Sequence, residues 1–238
     1  MEGIFYFLSN DINMNVQQLT TKLVSIPSYI DDKTNEAQIG QFIYDYLQKF
    51  KFLKVEKQFI DKQRFNVIAT TKGKPKLLLA GHMDTVEPKQ GWTKNQFGKA
   101  IVGDKIYGLG AADMKGGIAA ILCSLESFQT ISGLTLLFYC DEEYDFAGMK
   151  YFIQNYKKPL PKFALVAEPT DLKIGNSCRG LIDIKFAVSG ESGHAAHQES
   201  GVNAIVKVNK VLVDLNSWVM KFKNSELGSP SMNIAYIQ

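Results

Sequence analysis

The sequence predicts an α/β protein: a sheet covered on both faces by helices, followed by a smaller α+β unit. Three observations lead there. Continuous apolar runs at residues 65–70, 77–80, 134–139 and 163–167 have strand length and no polar alternation, the mark of strands buried on two sides. Segments with apolar residues at helical spacing lie before and between them, so strand and helix alternate. Beyond Gly180 the pattern changes to strict period two, as in a strand with one face in solvent.

Two amphipathic helices open the chain. Residues 16–26 place Val16, Leu19, Leu23 and Ile26 on one stripe, and residues 36–50 do the same with Ile39, Phe42, Ile43, Tyr46, Leu47 and Phe50. Alternation at Leu53, Val55 and Phe59, the run 65–70 and the run 77–80 read as three strands, separated by turns rich in Lys, Gln and Gly. Gly81 is expected to break the third strand where polar side chains begin. After Tyr107 the stretch "GLGAADMKGG" leads into a helix over 118–128 with Ile118, Ile121, Leu122, Leu125 and Phe128 inward. Strands follow at "LTLLFY", 134–139, and "FALVA", 163–167. In the second unit "LIDIKFAVSG" is a strand with Ile182, Ile184, Phe186 and Val188 on one face. A helix over 202–219 turns Ile205, Val208, Leu212, Leu215 and Val219 inward, and "MNIAYIQ" restores a strand. The division is expected at residues 177/178.

At 238 residues and 45% apolar content the chain has enough material for a real core. A net charge of +3 over 27 basic and 24 acidic side chains gives no basic stripe, so neither nucleic acid nor an anionic membrane is indicated and the partner is expected to be small. Cys123, Cys140 and Cys178 are too few and too scattered for a disulfide framework, which points to a reducing compartment. The early apolar run Ile4 to Leu8 is far too short for a membrane span and no basic segment precedes it. By elimination the protein is expected in the cytoplasm.

Acidic and imidazole groups gather at the strand ends. His82 and Asp84 follow the 77–80 strand, Asp113 follows the glycine-rich turn, Asp141, Glu142 and Glu143 follow 134–139, and Glu168 follows 163–167. In open α/β sheets such loops converge outside the carboxyl ends of the strands. So many carboxylates in one crevice repel and raise one another's pKa unless a cation neutralises them, and imidazole with carboxylate suits zinc, with cobalt or manganese as substitutes. Of the adjacent pair Glu142 and Glu143, one can bind metal while the other accepts a proton. His82 and Asp84 fit a ligand and the carboxylate that orients it. Asp141 reads as a turn residue or hydrogen-bond partner rather than a ligand.

In order along the chain, "GHMDTV", "YGLGAADMKGG", "DEE", "AEPT" and "SGESGHAAHQESGVNAI" resemble the M20 metallopeptidase and amidohydrolase family, in particular its acetylornithine deacetylase and succinyl-diaminopimelate desuccinylase branch. The resemblance implies a zinc-peptidase-like mixed sheet flanked by helices, with one or two Zn2+ ions, Co2+ or Mn2+ being alternatives. His82 and Glu168 would bind the first metal, Glu143 the second, and Asp113 would bridge them. Asp84 would orient His82, and Glu142 would be the general base that takes a proton from water and hands it to the leaving amine. The Asp113–Met114 peptide is expected to be cis. The second unit would be part of a ferredoxin-like lid that makes a homodimer interface, with His194 stabilising the oxyanion in a partner subunit and Arg179 gripping a substrate carboxylate.

The resemblance also implies a second metal-binding histidine near the carboxyl end, a role that neither His194 nor His197 fills. The chain is therefore expected to be truncated within the lid, with strand 233–237 near an open edge. Leu109 stands where many members carry arginine. The expected reaction is hydrolysis of an amide in an N-acyl amino acid, with a dipeptidase or carboxypeptidase as the rival. A non-catalytic paralogue that binds metal or a partner is the alternative of another class.

Overall fold

The structure is a computed structural model that describes residues 14–197 and 200–237, so the run Ile4 to Leu8 lies outside the described residues. The chain divides into two compact units, residues 1–172 and 173–238.

The first unit is built on a five-stranded sheet. Its strands are β1 (Lys54–Phe59), β2 (Phe65–Thr70), β3 (Leu77–His82), β6 (Leu134–Tyr139) and β7 (Phe163–Val166), in the spatial order β1-β2-β6-β3-β7. β1 pairs antiparallel with β2 and β2 with β6, whereas β6, β3 and β7 run parallel, with Leu79 opposite Leu136 on one side and Leu165 on the other. The sheet is thus mixed. Its three parallel strands end along one edge, which puts the loops after β3, β6 and β7 at the same mouth.

Helices α1 (Val16–Val24), α2 (Ala37–Leu47) and α3 (Gly116–Ser124) cover one face, where Leu19, Leu23, Ile39, Ile43, Ile118 and Leu122 pack on Val67, Ala69, Leu136 and Phe138. The other face, with Ile68, Ala80, Leu137 and Tyr139, meets Phe152 of α4 (Ala147–Asn155). Adjacent residues of β2 and β6 therefore serve opposite cores, which is why their sequences are apolar without alternation. Each fully buried side chain of this size stabilises the fold by about 1.5–3 kcal/mol.

Local chemistry sets the helix ends. Asn15 Oδ1 accepts the Gln18 N–H at 2.9 Å and Gln18 Oε1 accepts the Asn15 N–H at 3.0 Å, a reciprocal cap that starts α1 at Val16. Val16 is consequently at an exposed end rather than inward. α3 begins at Gly116 and ends at Ser124, followed by a tight turn Leu125–Ser127 that leaves Phe128 exposed, where the helical spacing put it inside.

Gly81 does not end β3, which continues through His82. The residue serves packing, because a Cβ there would lie 2.8 Å from Met114 Cε. β7 is an edge strand with Phe163 and Leu165 exposed, not the two-face-buried strand its apolar run predicts. Two elements had no counterpart in the sequence reading: α4 and the hairpin β4 (Ala100–Val102)–β5 (Lys105–Tyr107), which turns at Gly103 with φ 62°.

In the second unit the expected helix forms as α5 (Ala204–Val219), capped by Asn203 Oδ1 accepting the N–H groups of Ile205 and Val206. Val208, Leu212, Leu215 and Val219 are its half-buried stripe, as predicted, while Ile205 is exposed. The strands expected at 181–188 and 233–237 form no ladder among the described residues, where only isolated bridges Glu191–Val202 and Asn224–Gly228 occur. Alternation sets which side chains share a face, but a strand exists only through a hydrogen-bonded neighbour. Leu181 and Ile182, without one, are 85% and 82% exposed. Among the described residues no helix is long and apolar enough to cross a membrane.

Candidate metal centre

The mouth of the parallel strands gathers four of the predicted groups. His82, the last residue of β3, is buried, and its Nε2 lies 3.0 Å from Asp113 Oδ1 and 3.9 Å from Glu168 Oε1. Donor atoms of His82, Asp113 and Glu143 all lie within 4.8 Å of one another. Asp113 comes from the segment Ala111–Lys115, whose helical turn is broken at Asp113 (φ −117°, ψ 100°) and Met114. The Asp113–Met114 peptide is cis, as expected.

Side chains alone leave this cluster electrically awkward. Burial, together with the nearby Asp113, pushes the Glu168 carboxyl up to about 7 against the opposing pull of His82. Burial also raises Glu142 and Glu143. Asp113 moves the other way, held below the usual carboxylate range by its contact with His82. For His82 burial lowers the value, but its contacts with Asp113 and Asp84 outweigh this and push it up to about 10. An imidazolium is thus the one positive charge among these ligand-type groups, and a divalent ion can replace its proton because imidazole binds metal through the unprotonated nitrogen. Imidazole plus several carboxylate oxygens at one site fits a divalent cation by charge and by donor type.

Asp84 is fully buried beside this cluster, next to the His82 ring, and its carboxylate also holds a neighbouring loop. His82 Nδ1 lies 3.1 Å from the main-chain oxygen of Asp84 and 3.6 Å from Oδ1. The two carboxylate oxygens accept the backbone N–H groups of Glu142, at 3.0 Å, and Glu143, at 2.9 Å. Asp84 therefore ties the end of β3 to the loop after β6. Asp141 is indeed a turn residue. It has φ 71°, and its Oδ2 accepts the N–H groups of Asp145 and Ala147 at 3.2 and 3.1 Å.

Four neighbouring residues escaped the sequence reading. Arg64 Nη1 donates to Asp141 Oδ1 at 2.8 Å and lies 3.7 Å from Glu36. Glu36 is fully buried, and burial raises its pKa to about 7. Lys115 is buried with Nζ donating to the Ile26 carbonyl at 2.8 Å, and burial pulls its pKa down to about 7. Tyr139, opposite His82 in the β3–β6 register, packs edge-on against the imidazole at 6.4 Å. Burial first, then the surrounding carboxylates, raises its phenol. Lys115 sits inside the quoted "DMKGG" stretch and was readable there; Arg64 and Glu36 look like ordinary surface charges until the fold folds them inward.

The remaining predicted residues belong to the second unit. Arg179 directs its fork at its own main chain, with Nε and Nη2 donating to the Leu227 carbonyl at 3.0 and 2.7 Å. The His194 N–H donates to Ser200 Oγ, Nδ1 accepts from Ala196, and its ring stands 5.6 Å from that of His197.

An acetylornithine deacetylase of Proteus mirabilis is 34% identical over 95% of this chain and 61% of its own length. One from Buchnera aphidicola is 32% identical over 87% of this chain and 56% of its own. The chain thus spans about three fifths of the relatives it matches. Among solved structures, a tripeptidase from Staphylococcus aureus, 21% identical, shares the fold with a TM-score of 0.55 over 84% of this chain and 55% of that one. Residues 78–227, which include His82, Asp113, Glu143 and Glu168, match peptidase family M20/M25/M40, and the chain belongs to that family.

Proposed function

We propose that this protein hydrolyses the amide bond of an N-acyl amino acid, in the manner of a deacetylase or desuccinylase. His82, Asp113, Glu143 and Glu168 are the residues that would hold the metal, zinc by donor type, as one or two ions. The observation that carries the reading is the convergence of His82, Asp113 and Glu143 donors within 4.8 Å at the carboxyl ends of parallel strands, in a chain 34% identical to an acetylornithine deacetylase. A bound divalent ion supplies Lewis acidity, polarising a carbonyl and making water more acidic.

The chain's own groups do the rest. Glu142, whose carboxyl burial raises, takes the proton of the attacking water and returns it to the leaving nitrogen. Asp84 fixes Glu142 and Glu143 through their backbone amides. Arg179 is assigned the substrate carboxylate, for which its bond to Leu227 must exchange, and His194 the oxyanion in a partner subunit's site. The reading carries with it a cytoplasmic setting and a homodimer through the second unit.

The test couples calorimetric titration with Zn2+ to an assay of ornithine release from N-acetylornithine, with N-succinyl-diaminopimelate and dipeptides alongside. Metal-dependent release of the free amino acid from an acylated one is expected. Turnover of dipeptides alone would make the protein a peptidase, and metal uptake without turnover of any substrate would make it a binding module.

A further inference from the structure

We propose that Arg64 is a positioning residue: by bridging Asp61 and Asp141 it fixes the turn 141–147 that presents Glu142 and Glu143, an inference that rests on the roles proposed for those two glutamates. Arg64 lies in the turn between β1 and β2, far in sequence from the site. Its Nε donates to Asp61 Oδ2 at 2.7 Å and its Nη1 to Asp141 Oδ1 at 2.8 Å. Asp61 is itself locked, since its Oδ1 accepts the N–H groups of Gln63 and Arg64 at 2.8 and 2.7 Å. The guanidinium is thus anchored at one prong and free to clamp with the other.

What it clamps is the hinge point of the loop. Asp141 holds φ 71°, a left-handed conformation that aspartate adopts more readily than most residues when its side chain hydrogen-bonds locally, as it does here. With one oxygen on Arg64, Asp141 uses the other to hold the amides of Asp145 and Ala147, the start of α4. The Phe146 N–H closes the turn on the Asp141 carbonyl at 2.6 Å. Asp84 holds the amides of Glu142 and Glu143 from β3. The two glutamates therefore sit between two carboxylates, Asp84 on one strand end and Asp141, and Asp141 is tied to Arg64 by a direct charge-assisted bond. Arg64 is 21% exposed and Asp141 8% at the side chain, so the pair is well shielded and its charge-assisted bond is of the stronger kind. Planar two-pronged bridging is a property of guanidinium that a lysine ammonium does not share.

The test is backbone amide exchange followed by NMR on the full chain without metal, with Co2+ titration as a second arm. In Arg64→Met the amides of Glu142, Glu143, Asp145 and Ala147 are expected to exchange about tenfold faster or more while those of β2 and β6 keep their protection. Co2+ affinity should fall by about 10- to 100-fold. Because Arg64 acts through Asp141, the double variant with Asp141→Asn should exchange no faster than Asp141→Asn alone. Unchanged exchange at the four amides, or multiplicative effects in the double variant, overturns the assignment. If Arg64→Met does not fold, Arg64→Lys keeps the charge without the fork and should give intermediate exchange; parental exchange in that variant overturns it equally. A parent chain that takes up no Co2+ refutes the metal reading of the site, and the exchange arm still judges Arg64 by itself.

Discussion

His82 and Asp84 are coupled through the main chain: the imidazole Nδ1 lies 3.1 Å from the Asp84 carbonyl oxygen, which leaves the Asp84 carboxylate to the amides of Glu142 and Glu143. One residue thus orients the imidazole and sets the loop that carries two glutamates. Asp84→Asn should break the second function first. An asparagine has one acceptor oxygen and turns its NH2 toward the other amide, so a buried donor faces a donor at a cost of about 1–3 kcal/mol. The expected outcome is a lower urea midpoint at unchanged m-value, together with weaker Zn2+ binding in calorimetry. A variant with the parental midpoint would mean that these two amide bonds contribute nothing to the loop.

Gly148 marks where α4 meets the end of β6. A Cβ there would lie 2.5 Å from both Asn66 Oδ1 and the Cys140 carbonyl and 2.6 Å from the Cys140 nitrogen. Two of those atoms are backbone and cannot rotate away. The Asn66 amide already bridges the site, donating to the Gly148 carbonyl at 2.8 Å. Gly148→Ala should therefore push α4 off the sheet and destabilise the first unit by about 1–3 kcal/mol or more, although alanine is the better helix former. Urea denaturation checks the sign: a stabilised variant would show that propensity outweighs the close approach.

These two sites show what the sequence made legible. β2, β3 and β6 were readable because their apolar runs are long and serve two cores at once, as Val67 and Ile68 do on opposite faces. His82, Asp113, Glu143 and Glu168 stand out in the sequence because each follows an apolar run or a glycine-rich turn, where loops converge. α4 was not, since Phe152 is its one large fully buried anchor and its start depends on Asp141, a residue outside the helix. The β4–β5 hairpin escaped because Ile101 and Val102 are exposed and three residues carry too little period. Arg64 and Glu36 were invisible because their partners, Asp141 for Arg64 at 77 residues' distance and Arg64 for Glu36, lie in other elements, and single-sequence periodicity reaches only along one element.

Glu36 gives the first unit a pH dependence of known sign. Both its carboxylate oxygens are buried with no hydrogen-bond partner among the described residues, and Arg64 at 3.7 Å is too distant to supply one. Burial, with Asp84 and Asp141 nearby, raises its pKa from 4.5 to about 7 in the folded chain. The folded state thus holds the proton more tightly than the unfolded state. This group's contribution is fully present below pH 4.5 and is lost as pH rises through 7, a change on the order of 3 kcal/mol. Glu36→Gln, neutral at every pH, should match the parent near pH 4 and be the more stable of the two at pH 8. A stability difference that is flat between those values would show that Glu36 ionises without penalty.

Glu142→Gln separates proton transfer from metal holding. The substitution keeps the side chain's size and leaves the backbone N–H bonded to Asp84, so the loop that carries Glu143 should stay in place. The three convergent donors belong to His82, Asp113 and Glu143, and none of them is altered. An amide cannot accept a proton from water near neutral pH, so turnover of an N-acyl amino acid should fall by about 10²- to 10⁴-fold with KM and zinc stoichiometry unchanged. Each deviation has a distinct meaning, because loss of zinc together with turnover would make Glu142 a ligand, whereas retained turnover would remove it from the reaction and pass the proton to one of its neighbours.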